Sequence, residues 1–252
     1  VATNDIHANI DVQVTGSTID SAKNVEVSAG NQNLIRALSG GGAGASGSAI
    51  GAGVSLNEIN SNMSASVMDS DVTSGNNVSV TASNDSNIES LAIGGAGATN
   101  FALGGGVATN DIQAKMEAQV TGSTIDATKN VEVSAVNSSE IEALSGGIAG
   151  AGAYAIGAGV SLNEIDSSLS TSVTGSQITS GRDVSVTASN EANIKSVAVG
   201  GVGAASFALG GGVATNEIQN DMDANITGST IDTARHVEVS AENTSEIHTL
   251  SG

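Results

Sequence analysis

The chain has 252 residues with 33 Gly, no Pro, no Cys, no Trp and three aromatics, Phe101, Tyr154 and Phe207, which excludes disulfides, thiolate metal sites and a thick core of interlocking large side chains. Its 26 acidic residues against 7 basic ones give a net charge of −19, which argues against a nucleic-acid footprint and against anionic membranes. What remains is suited to thin layers of β-branched and small residues, the material of stacked sheets.

In chain order, the first element is Ile6–Val14, where Ile6, Ala8, Ile10, Val12 and Val14 alternate with His7, Asn9, Asp11 and Gln13. A period of two is a half-buried strand. Thr15-Gly16-Ser17 reads as a turn or bulge. Val25-Glu26-Val27-Ser28-Ala29 alternates again, Asn31-Gln32-Asn33 reads as a corner, and Ile35 resumes the inward face.

At Val54 the pattern starts over. VATNDI at Val1 returns as VATNDI at Val107 and VATNEI at Val213, with VSLNEI halfway at Val54 and Val160. The unit is therefore 53 residues, without gaps: 1–53, 54–106, 107–159, 160–212 and the partial unit 213–252. Repetition at a fixed period is the signature of a repeat architecture. High Gly content disfavours helix, and strands at a fixed period fit an all-β parallel β-solenoid. No similarity appears at shifts near a half or a third of the unit, which predicts one large flattened coil per unit. Val1 already lies inside a unit, so the whole is expected to be one continuous array and a fragment of a longer chain.

One coil per unit would stack equivalent positions about 4.8 Å apart. Two columns of Asn result, Asn4, Asn57, Asn110, Asn163 and Asn216, and Asn31, Asn84, Asn137, Asn190 and Asn243. They are expected at strand ends or corners, with their amides bonded to backbone or to one another. Phe101, Tyr154 and Phe207 form a third column, expected to be buried, because it shares a parity with Leu103, Ile156 and Leu209. In the same stretch Leu144, Ile148, Tyr154 and Ile156 make one face bulky. The other face carries Ala149, Ala151, Ala153, Ala155, Gly157 and Gly159 and is nearly flat. A flat face lets another sheet approach closely, either within one coil or between molecules.

The string ATNDI with VTGSTI, KNVEVSA and AIGAGVSLNEI resembles the repeat regions of very large bacterial surface exoproteins, the filamentous-haemagglutinin-like adhesins and related β-strand-repeat proteins. The resemblance covers the whole chain and is one of pattern. It implies a secreted, extracellular, fibre-forming solenoid at the bacterial cell surface. Such a protein supports adhesion, aggregation or biofilm cohesion by self-association into filaments. Secretion signals and receptor-binding regions lie elsewhere in such chains.

Chemistry-bearing motifs are sparse. His7, His236 and His248 occupy different positions of the unit and read as surface residues. No nucleophile elbow and no Gly-Lys-Ser/Thr phosphate loop is present, so no enzyme and no cofactor is expected. No apolar run is long enough to span a bilayer as a helix. One acidic column, Asp5, Glu58, Asp111, Glu164 and Glu217, stacks like charges, which calls for water or for oxygen-bound cations such as Ca2+. A solvated rim and a calcium-binding solenoid are the two readings of it. A flat face that binds glycan, ice or mineral is a further alternative. Thr3, Thr109 and Thr215 alternate with Leu56 and Leu162, which spoils an ice-matching array.

Overall fold

The computed structural model describes all 252 residues and is built of strands and turns alone. Chain order places the strands in three parallel sheets of five. The first holds the long strands β1 (Ala2–Thr15), β4 (Ser48–Met68), β7 (Phe101–Thr121), β10 (Tyr154–Thr174) and β13 (Phe207–Thr227). The second holds the short strands β2 (Thr18–Ser21), β5 (Asp71–Ser74), β8 (Thr124–Ala127), β11 (Gln177–Ser180) and β14 (Thr230–Thr233). The third holds β3 (Val25–Ala45), β6 (Val78–Ala98), β9 (Val131–Ala151), β12 (Val184–Ala204) and β15 (Val237–Ser251). Each strand pairs with the strand one unit before and after it, as in Asn4↔Asn57 and Val131↔Val184. One unit is thus one rung of a parallel β-solenoid, flattened because two strands of 21 residues face each other across the coil.

Why the chain turns where it does is visible in two corners. After each first-sheet strand the backbone enters the left-handed region at Gly16, Gly122, Gly175 and Gly228, with φ between 57 and 61°, and at Asp69 with φ 48°. Glycine takes that conformation without steric cost. The next residue is always Ser. Ser70 Oγ donates to the Met68 carbonyl (2.7 Å) and accepts from the Ser17 N–H of the neighbouring rung (3.0 Å). The same pair of bonds recurs at Ser123 and Ser176, so the column closes the turn and links it to the next rung. The second corner uses Ser74, whose Oγ donates to the carbonyls of Lys23 (2.6 Å) and Asn77 (3.0 Å).

From one end of the flattened coil to the other, the interior passes through four kinds of packing. The broad end, where the short strands form a third wall, is aliphatic: Val67, Val72, Val78, Val80, Met116 and Ile125 belong to one buried cluster. A polar band follows, with Asn31 Nδ2 donating to Ser61 Oγ (3.3 Å) across the two long sheets. Next comes a column of isoleucines from both sheets, Ile35, Ile59, Ile88, Ile112, Ile141, Ile165 and Ile194. The far end is lined mainly by Ala and Gly: Ala102, Ala149 and Ala155 are buried there, with Val202 partly buried against them.

At that thin end the two sheets nearly touch. A Cβ placed on Gly41 would overlap the carbonyl of Ala52, and one on Gly51 would overlap that of Gly95. Gly104 and Gly147 are similarly enclosed by facing backbone. The Gly/Ala face, with Ala149, Ala151 and Ala155, is therefore internal, packed against the opposite sheet of the same coil.

Three expectations are corrected. Asn31-Gln32-Asn33 is no corner: β3 runs through it from Val25 to Ala45. The Asn columns lie in mid-strand, not at strand ends, because their amides satisfy one another along the solenoid and need no turn backbone. The aromatics are not buried. Tyr154 is 54% exposed although Phe101 and Phe207 flank it on the adjoining rungs. Bulky residues point outward there because the sheets approach too closely to leave room for an aromatic side chain between them.

Candidate functional site

No single rung departs from the others to assemble a cluster, so the candidate features are columns that run along the solenoid. The Asn column of the first sheet is a chain of amides. Asn4 Nδ2 donates to Asn57 Oδ1 (2.8 Å), Asn57 to Asn110 (2.7 Å), Asn110 to Asn163 (2.7 Å) and Asn163 to Asn216 (2.7 Å). The column of the third sheet does the same: Asn31 to Asn84 (3.4 Å), Asn84 to Asn137 (2.9 Å), Asn137 to Asn190 (2.7 Å) and Asn190 to Asn243 (2.8 Å). Each amide in such a chain is donor and acceptor at once, so neighbours polarise one another. Second donors reach across the coil, from Asn57 to Ser90 Oγ (3.3 Å) and from Asn137 to Ser167 Oγ (3.1 Å). These bonds clamp the two long sheets together on either side of the isoleucine column. Asn57, Asn110 and Asn163 are buried and not available to a ligand.

The acidic column Asp5, Glu58, Asp111, Glu164 and Glu217 lies on the outer side of the first sheet, each directly in register with the next from rung to rung. At Asp111 burial pushes the carboxyl above the usual carboxylate range. Gln113, donating from 3.2 Å, opposes that push, while Glu164, Glu58 and Asp166 add to it. No group of three or more His, Asp or Glu is placed to hold a metal ion. The column is a strip of partly solvated, mutually repelling carboxylates.

The third sheet sets basic residues beside its acids. Along one outer column stand Arg36, Glu89, Glu142, Lys195 and His248. Arg36 Nε meets Glu89 Oε2 at 2.9 Å, and Lys195 Nζ meets Glu142 at 3.0 Å and Glu140 at 2.6 Å. Arg36, Lys195, Glu89 and Glu142 lie at the surface, where water screens such pairs and they contribute little to stability. A shallow groove runs beside this column, its other wall formed by Leu38, Leu91 and Leu144. His7 and His248 sit at the surface beside Asp5 (3.2 Å) and Glu246 (2.7 Å).

Sequence reasoning missed the outer apolar surface of the thin end. It comprises Phe101, Tyr154 and Phe207 with Ile50, Leu103, Ile156, Leu209, Val107 and Val160 on the first sheet, and Leu144, Ile148 and Val199 on the third. The signal was present: residues 37–57, 90–110, 143–163 and 196–216 contain no charged side chain. Against known proteins, no family model matches the chain, and no curated protein and no solved structure shows significant similarity to it.

Proposed function

We propose that the chain is a structural, fibre-forming segment of a bacterial surface exoprotein of the filamentous-haemagglutinin-like kind, acting outside the cell in adhesion, aggregation or biofilm cohesion. The observation that carries this reading is that the five rungs stack in strict register, with the two Asn columns and the Ile columns of both long sheets running through all of them. A solenoid of this build extends by adding units, each held by its neighbours. The role is mechanical: the amide ladders and the aliphatic columns lie parallel to the fibre and bind rung to rung, and no rung sets up a catalytic constellation of its own.

The reading is tested by display. The array, fused to an outer-membrane anchor on a non-aggregating host cell, is expected to make cells settle as clumps. A matched display of another solenoid with equal length and charge is the control. Dispersed cells with the array demonstrably at the surface would overturn the cohesive role.

A further inference from the structure

The apolar surface of the thin end is an unusual thing to leave open. Tyr154 is 54% exposed, Ile148 62% and Leu162 41%, although each has a neighbouring rung on both sides. On the first sheet the outer columns read Phe/Tyr with Ser48 in the first rung, Ile/Leu, Gly/Ala, Val and Leu/Thr, all without charge. Five columns two residues apart, three of them four rungs long and two of them five, make a face of about 30 Å by about 19–24 Å, on the order of 600 Å². A monomer's largest apolar patch is usually about 300–600 Å². One side of a stable protein interface needs about 800 Å². Each added unit enlarges the face by about 150 Å², so a longer array exceeds the requirement.

A second observation is independent of the first. The glycines of the thin end fall into two sets. Those facing inward are forced by the opposite sheet, as at Gly41, Gly51, Gly104 and Gly147. Those facing outward are not: a Cβ on Gly42, Gly44, Gly95, Gly97, Gly150 or Gly203 would meet nothing within 4 Å, and none of these has a positive φ. Glycine in a strand weakens it by roughly 0.5–1 kcal/mol relative to alanine. Where the chain's own fold has no use for it, glycine marks a place where another backbone comes close. The outward glycines also shape the surface. Ile148 stands between Gly95 and Gly201, and Ile93 and Val199 stand on either side of Gly146 in the next column. Projections and hollows thus alternate from rung to rung in the column Gly40, Ile93, Gly146 and Val199, while in the next column Ile148 is one projection among Gly42, Gly95 and Gly201.

We propose that this surface is covered by a second copy of the same solenoid, the two packing outer face to outer face through their thin ends. A copy brings the same rung spacing, so Ile93, Ile148 and Val199 of one face meet the hollows at Gly95, Gly146 and Gly201 of the other. It also carries the same clearance of charge within the face, with its acidic columns along the rim, where Asp111 follows Thr109 by two residues and Glu142 precedes Leu144 by two. Because the slab is apolar on both sides, association continues from copy to copy into lateral bundles. The proposal rests on the fibre reading and names the contact by which fibres cohere.

Sedimentation velocity of the chain over a range of concentrations tests it. The parent is expected to associate as concentration rises. Tyr154→Asp and Ile148→Asp, both outward and exposed, are expected to keep the β spectrum and melting temperature while weakening association at least about tenfold, or about 1.4 kcal/mol. Tyr154→Phe should associate like the parent. Gly97→Val adds a β-favouring side chain in open space, so it should melt no lower than the parent yet associate less. A parent that stays monomeric, or aspartate variants that associate unchanged, would overturn the proposal. So would a monomeric parent that floats with phosphatidylcholine vesicles, since the occupant would then be lipid. Rods that form clumps of cells yet never associate in solution would defeat this contact and spare the fibre reading. Association in solution without cohesion of cells would do the reverse.

Discussion

Asp69 occupies the one corner position where the other four rungs have glycine, and it does so at φ 48°. A left-handed L-residue costs roughly 1–2 kcal/mol, less for Asp than for most. Asp69→Gly is expected to raise stability by about 1 kcal/mol and Gly122→Ala to lower it by about 1–2 kcal/mol, both measured by urea denaturation. Asn110 sits in the middle of an amide chain. Asn110→Ala strands the Asn57 amide donor and the Asn163 acceptor, and should cost about 1–3 kcal/mol for each buried group left unpaired. Asp111 carries a carboxyl raised by burial and by like charge, so the folded state holds its proton more tightly than the unfolded one. The charged form is therefore a burden on the fold at neutral pH, and the burden lifts as pH falls through the raised value. Asp111→Asn should melt higher than the parent at about pH 7, with the difference gone near pH 3, below the unfolded carboxylate value.

At the scale of the element, the strand alternation was legible in sequence but its inward side was not, at one end. In Val25–Ala29 and Ile6–Val14 the apolar parity faces in, as hydrophobic period implies. Around Tyr154 the rule reverses, and alanine and glycine face in. Apolar patterning identifies the core side only where there is room for side chains between the sheets. Where backbones approach to contact, size decides instead, and the larger apolar residues are expelled. The Asn columns were misplaced for a related reason: Asn in isolation suggests a turn, and only the stacking of five rungs gives it a partner in mid-strand. The two glycine sets make the point testable. Gly104→Ala, whose Cβ would overlap the Ile148 carbonyl, should destabilise by about 1–3 kcal/mol, whereas Gly97→Ala should be neutral or slightly stabilising, as read by thermal melting.

For the whole molecule, the 53-residue period was the most legible feature of all, and the absence of any shorter one already pointed to a single coil per unit. The registers, each running from one residue to its counterpart one unit on, agree with that. The outer apolar surface was legible only as four stretches without charge, since no sequence rule says which side of so thin a slab meets solvent. The central claim is that length grows by one strand spacing per unit and that a fibre results. It is tested most directly by imaging arrays of increasing unit number and measuring rod length. The account predicts rods of constant width that lengthen by about 4.8 Å for each added 53-residue unit. Increments of two or three times that value, or discrete globules whose width grows with unit number, would contradict it.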